Sequence, residues 1–215
     1  MTPTATRAPL SRERILQTAL RLVDTGGLGD LTMRRLGARL GVEAMSLYRH
    51  VPNKEAVVEG VRDLILAELA AEQAAQPEAL GWEDALGGAA RAFRQVCKRH
   101  PRALPLFAGD ADRAYAASAE SYEPVLRALV RDGFGEDEAV AALRIVVRHV
   151  LADGMLDVAA VARTSPMSER ELRRLAGDSP LVTELVRAVH RGPVDELFEE
   201  GLRALLAGLR PTRSA

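Results

Sequence analysis

LTMRRLGARLGVEAMSLYRHVPNKEAVVEGV, residues 31–61, is the stretch whose reading decides the fold. Thr32 is a capping residue ahead of a short helix predicted over 33–40, and Gly41 stops that helix because glycine readily takes the left-handed conformation. A second short helix is predicted over about 43–50; Pro52 breaks it, and Asn53 caps a long helix over about 54–75. Met33, Leu36 and Leu40 form one apolar stripe, and Val42, Leu47 and Val51 form the stripe that faces it. Two helices this short cannot enclose a core, so they must lean on the segment before them. That segment, a helix predicted over 11–25, carries Ile15, Ala19, Leu22 and Val23 at three- and four-residue spacing and ends at Gly26–Gly27. The result is a three-helix unit that turns its second short helix outward, the arrangement that enters a DNA major groove.

The outward helix carries Ala44, Met45, Ser46, Tyr48, Arg49 and His50. Small residues at its start allow close approach to base edges, a hydroxyl can donate or accept, and Ala or Met suits a thymine methyl. Tyr48, Arg49, His50 and Lys54 bring hydroxyl, guanidinium, imidazole and amine groups to where phosphate oxygens would lie. The N-terminus of the long helix at Asn53–Lys54 adds backbone amides and a positive dipole end.

The rest of the 215 residues extends the same helical reading. Ala, Leu, Arg and Glu dominate, aromatics make up 4%, and no alternating strand pattern is present. Further helices are predicted over 82–99, in a short turn within 101–110, and over 112–132, 136–162, 168–176, 180–191 and 194–209. The expected fold is therefore all-α: a disordered arm (1–10), a helix-turn-helix DNA-binding domain (11–56) and a second, all-helical domain (57–211). Hydrophobic content of 47% with 27% charge is that of a globular protein, and no run is long enough for a membrane span. The single cysteine, Cys97, rules out an internal disulfide and a multi-cysteine metal cluster, which points to an intracellular, cytoplasmic protein. Residues 1–54 carry nine Arg/Lys against four acids, a net +5, so the remainder sums to −6. A basic head on an acidic body suits a protein that docks one end on phosphate.

Leu31-Thr32, the Leu40-Gly41-Val42 turn and, above all, Leu47-Tyr48-Arg49-His50-Val51-Pro52-Asn53-Lys54 resemble the DNA-binding domain of the tetracycline-repressor (TetR) family. The closing Phe198-Glu-Glu-Gly201-Leu202 and Leu206-Ala-Gly208-Leu209 are similar to the family's C-terminal end. The resemblance implies a homodimeric transcriptional regulator on double-stranded DNA, a repressor released from a palindromic operator by a small hydrophobic effector. By motif position it places Arg34 as a base-reading arginine, Ala44, Met45 and Ser46 at base-contacting positions, and Tyr48, His50 and Lys54 at phosphate-clamping positions, with Thr32 beside them. Residues 44, 45 and 49 depart from the tetracycline repressor itself, so its operator sequence does not carry over. Its magnesium–tetracycline ligand set has no match either. No cofactor and no metal site is expected, and no catalytic residue, because no phosphate loop or nucleophile with base and orienter is present.

The resemblance also implies a pocket among the middle helices, for which Phe93, Cys97, Phe107, Tyr115, Tyr122, His149 and Met155 are candidates by position. His149 reads by default as a satisfied core histidine, with a polar pocket anchor as the alternative, and Cys97 with His100 reads as core filler and a helix-end cation. Phe198, Gly201, Leu202, Leu205, Gly208 and Leu209 form an apolar stripe with small residues, the expected dimer interface together with helix 136–162. Other readings are a small-molecule-binding protein or enzyme of the same fold, and a regulator that activates or has no ligand.

Overall fold

The computed structural model describes residues 9–75, 81–108, 119–161, 167–191 and 195–209, and every regular element among them is helical. In chain order these are α1 (Arg12–Gly26), α2 (Met33–Leu40), α3 (Ala44–Leu47), α4 (Lys54–Ala74), α5 (Trp82–Arg99) and α6 (Pro105–Ala108). There follow α7 (Ala119–Arg131), α8 (Glu136–Val161), α9 (Glu169–Ala176), α10 (Pro180–Arg191) and α11 (Asp195–Gly208), with 3-10 turns at Leu28–Asp30 and Pro101–Ala103. The all-α architecture expected from the sequence is the one observed. Tyr115, the arm up to residue 8 and the start of the helix expected from 112 lie outside the described residues.

The helix ends follow their capping chemistry. The side chains of Ser11, Thr32 and Asn53 accept from the backbone N–H groups of Arg14 (3.2 Å), Arg35 (3.2 Å) and Ala56 (2.7 Å). Gly41 closes α2 at φ 67°, ψ 40°. The start of α5 has a cap from far along the chain: the N–H of Trp82 donates to Asp132 Oδ2 at 2.7 Å. The Trp82 ring meets Phe134 edge-on at 5.0 Å, so the start of α5 is fastened to the turn after α7. Arg131 and then that Trp82 N–H hold the Asp132 carboxyl below the usual carboxylate range.

One boundary differs from expectation. α3 is only four residues long, Ala44–Leu47, rather than 43–50. The chain then tightens into a turn, in which His50 N–H and Val51 N–H both donate to Leu47 O at 2.9 and 3.0 Å. The residue before a proline is pushed out of the helical region, so Val51 cannot continue the helix into Pro52.

Ile15, Ala19, Val23, Leu36, Leu40, Leu47 and Val51 are all buried and close the core of the N-terminal unit. α1 also buries Leu16 and Leu20, because its second side packs on α4; a Cβ on Gly60 would come within 2.5 Å of Leu16, so that crossing needs glycine. The larger body packs α4, α5, α7, α8 and α11 around Leu69, Leu86, Phe93, Val96, Leu129, Val146, Val150, Phe198 and Leu202. No helix among the described residues is long and apolar enough to cross a membrane.

Candidate nucleic-acid interface and effector cavity

The DNA-facing candidates lie on three successive pieces of backbone. Thr32 and Arg34 begin α2; Ala44, Met45 and Ser46 are on α3; Tyr48, Arg49 and His50 form the turn after it, and Lys54 opens α4. Leu36, Leu47 and Val51 anchor these pieces from within, each with no more than 1% of its surface exposed. The candidates themselves point away from that core: Met45 is 75% exposed and Tyr48 43%, Thr32, Arg34, Arg49, His50 and Lys54 are exposed, and Ala44 and Ser46 are half-buried. Arg35 is engaged in an ion pair with Asp30, which leaves Arg34 as the outward arginine of the first turn of α2. The turn between α2 and α3 is held close by Gly37, where a Cβ would lie 2.8 Å from Val42 O and 3.2 Å from Ala44 N. The sequence reading named Gly41 for that turn and passed over Gly37, whose role depends on a contact across the turn.

Behind this unit lies a small apolar cavity of about 250 Å³, its mouth included. Leu69 and Gln73 of α4, Ala89, Ala90 and Phe93 of α5, Tyr122 of α7, and Val146, Val147 and Val150 of α8 line it. Of the seven residues expected there, Phe93 and Tyr122 are in the lining. Cys97 and Phe107 are buried in the adjoining core, Phe107 edge-on to Phe93 at 6.1 Å, and Met155 is exposed. His149 is not at the cavity. Its ring stacks on Phe198 at 5.3 Å, and Nε2 lies 3.4 Å from Phe198 O, so it belongs to the contact between α8 and α11. The aliphatic lining was missed because Ala89, Val146 and their neighbours carry no signal that separates cavity from core.

The expected dimer stripe needs correction. Phe198 and Leu202 are buried within their own chain, at 1% and 0% exposure, and so cannot meet a partner. The Arg94 guanidinium lies 4.3 Å from the Phe198 ring centroid and pairs with Asp153 of α8 and, at 3.1 Å, Asp195 of α11. The Asp195 carboxyl is held below the usual range, chiefly by its hydrogen bond from Lys98 and then by that from Arg94. Gly201 rests against the His149 ring, where a Cβ would fall 2.7 Å from Cε1, while Leu209 and Leu206 pack partly on the core. The outward face of α11 keeps Gly208 and the half-buried Leu205 of the expected stripe and adds Leu197 and Ala204. Beside it α8 exposes Val140, Ile145, Met155 and Leu156.

Comparison with known proteins places both halves of the chain. Residues 15–61 match the profile of bacterial regulatory proteins of the tetR family, and residues 74–213 match the tetracyclin repressor-like C-terminal domain. The tetracycline repressor protein class A from transposon 1721 of Escherichia coli is 30% identical over 208 residues, covering 95% of this chain and 92% of that protein. Among solved structures, a TetR variant from Acinetobacter baumannii AYE in complex with minocycline superposes with a TM-score of 0.75 at 27% identity, covering 96% of this chain and 98% of the other. ActR from Streptomyces coelicolor in complex with actinorhodin gives 0.72 at 27% identity, covering 94% and 96%.

Proposed function

This chain belongs to the tetR family of bacterial regulatory proteins, and from that premise we propose that it is a homodimeric repressor released from a palindromic operator by a small, largely apolar effector. The observation that carries the reading is the exposed row of Met45, Tyr48, Arg49, His50 and Lys54 above the sealed Leu36–Leu47–Val51 support. A rigid base under exposed donors and a methionine is what reading base edges requires. Arg34, Ala44, Met45 and Ser46 read bases, and Thr32, Tyr48, His50 and Lys54 hold phosphate. Residues 11–56 act as the reader, and 57–211 as the sensing and pairing body.

Two readers must be held a fixed distance apart, so the body must pair with a second copy. The outward face of α11 at Leu197, Ala204, Leu205 and Gly208, with the exposed residues of α8, offers an apolar surface with small residues where helices can approach closely. The cavity between α4, α5, α7 and α8 is the effector site. Its described lining offers aromatic and aliphatic contact with Gln73 and Tyr122 as polar groups, which suits a small, largely apolar effector. The cavity must widen to take a ligand, and widening moves α4, which begins at the reader.

The test is an anisotropy titration of actinorhodin and minocycline into the complex of full-length protein with a selected operator duplex. Release at saturating compound, lost in Phe93→Ala and Gln73→Ala variants that still bind DNA, supports the reading. Operator binding that no polycyclic compound alters would favour a ligand-independent regulator, and absence of any operator would favour a small-molecule-binding protein of the same fold.

A further inference from the structure

His100 is a buried titratable group that neither DNA reading nor effector binding uses. It is 9% exposed and follows the last residue of α5. Its Nδ1 lies 2.9 Å from Asp24 Oδ1 in the last turn of α1, and its Nε2 lies 3.1 Å from Glu68 Oε2 on α4. One ring thus joins three helices: the first helix of the reader, the helix that leaves the reader, and the helix that carries Phe93 of the cavity. Two residues on, Arg102 caps the open end of α1, donating to Thr25 O and, at 3.2 Å, to Asp24 O. Arg99 reaches α4 as well, pairing with Glu68 at 3.3 Å and with Glu72. The charged groups around the ring are therefore Asp24 from α1, Glu68 and Glu72 from α4, Arg99 from α5 and Arg102 from the following turn. Lys98 points elsewhere, to Asp195.

We propose that His100 is a positioning residue for the DNA reader, a strut whose two ring nitrogens tie Asp24 to Glu68 and whose protonation sets how firmly α1 is held to the cavity helices. The chemistry follows from counting donors. An imidazolium has two N–H groups and satisfies both carboxylates; a neutral ring has one, and its other nitrogen then presents a lone pair to a carboxylate. The strut is closed when the ring is protonated and loses one arm when the ring is neutral. The cavity is mechanically near: Phe93 stands two helical turns before His100, about 10 Å along the same helix, and Leu69 of the lining is the neighbour of Glu68. A shift of α5 or α4 at the cavity therefore reaches α1 through this ring. Its part in operator release rests on the function proposed above; its hold on α1 does not.

Operator affinity would mix the titration of His100 with that of His50, so the readout is amide hydrogen exchange of α1 to α3 in the full-length protein, without DNA or effector. It is measured at about pH 5.5 and about pH 8, either side of imidazole titration, and corrected for intrinsic rates. Protection of α1 about fivefold greater at the lower pH is expected, the ratio an ordinary hydrogen bond supports. His100→Gln should remove the difference and leave α1 at the lower level at both pH values. Asp24→Asn and Glu68→Gln, at partly exposed positions that leave the core untouched, should each reduce it. They decide the matter if His100→Gln fails to fold. A pH difference that persists in the Asp24→Asn, Glu68→Gln double variant, or in folded His100→Gln, would overturn the proposal.

Discussion

Lys54 and Arg34 are both exposed cations on the same unit, yet they should fail differently when removed. Lys54 opens α4 beside a helix N-terminus and is placed for phosphate, so Lys54→Ala should weaken binding to all sequences alike and reduce its salt dependence. Arg34→Ala should instead relax preference at one base position, by about 1–3 kcal/mol, measured by competition between single-base operator variants. Uniform loss for both would remove Arg34 from base reading. Gly37→Ala changes a buried position of α2, where the added Cβ would press on Val42 O and Ala44 N. A loss of about 1–3 kcal/mol in thermal unfolding is expected, since backbone at that turn can yield only by shifting α3. Asp195→Asn tests the sign of an electrostatic contribution. Because Lys98 and Arg94 hold that carboxyl low, it stabilises the docking of α11 above the ordinary carboxylate range and loses that effect as pH falls through its lowered value. Wild type should therefore show a dimer that weakens in acid, followed by sedimentation, and Asp195→Asn one that is weaker at neutral pH and less sensitive to acid.

At the scale of the elements, the chain announces its helix ends better than its helix faces. Ser11, Thr32, Gly41 and Asn53 are local signals that act within four residues of themselves, and each is a cap in the folded protein. α11 shows the opposite case. Leu197, Ala204 and Gly208 have the same kind of helical spacing as Phe198, Leu202 and Leu209, so periodicity reveals two apolar stripes and cannot choose which turns inward. The choice is made by Arg94, which lies over Phe198 from a helix about a hundred residues earlier, and no local pattern contains that contact. The same packing fixes His149, which stacks on Phe198 as the core histidine its surroundings suggest. The two stripes give a direct contrast: Ala204→Glu should prevent dimerisation in sedimentation while leaving helicity and monomer stability near wild type. Phe198→Ala should cost about 3–5 kcal/mol of stability, because it empties the space under Arg94 and His149.

In the whole molecule, the opening stretch holds nearly everything needed to recognise a DNA reader, because a reader is built from short-range parts: caps, a tight turn and exposed polar side chains in one run. The cavity is built from four helices, and its aliphatic lining looks in the sequence like any other core. The fold links these two regions through α4, which begins at Lys54 among the residues proposed to hold phosphate and carries Gln73 of the cavity in its last turn. Charge follows the same division, with the basic residues of 1–54 in front of an acidic body. The central claim is that two such readers, held at a fixed separation, recognise a symmetric site. Selection of duplexes from a random pool by the purified full-length protein, at a stated salt concentration, tests it most directly. The expected product is a palindrome with matched half-sites spaced by about one helical turn of DNA. Recovery of no common sequence, or of a lone half-site without symmetry, would contradict it.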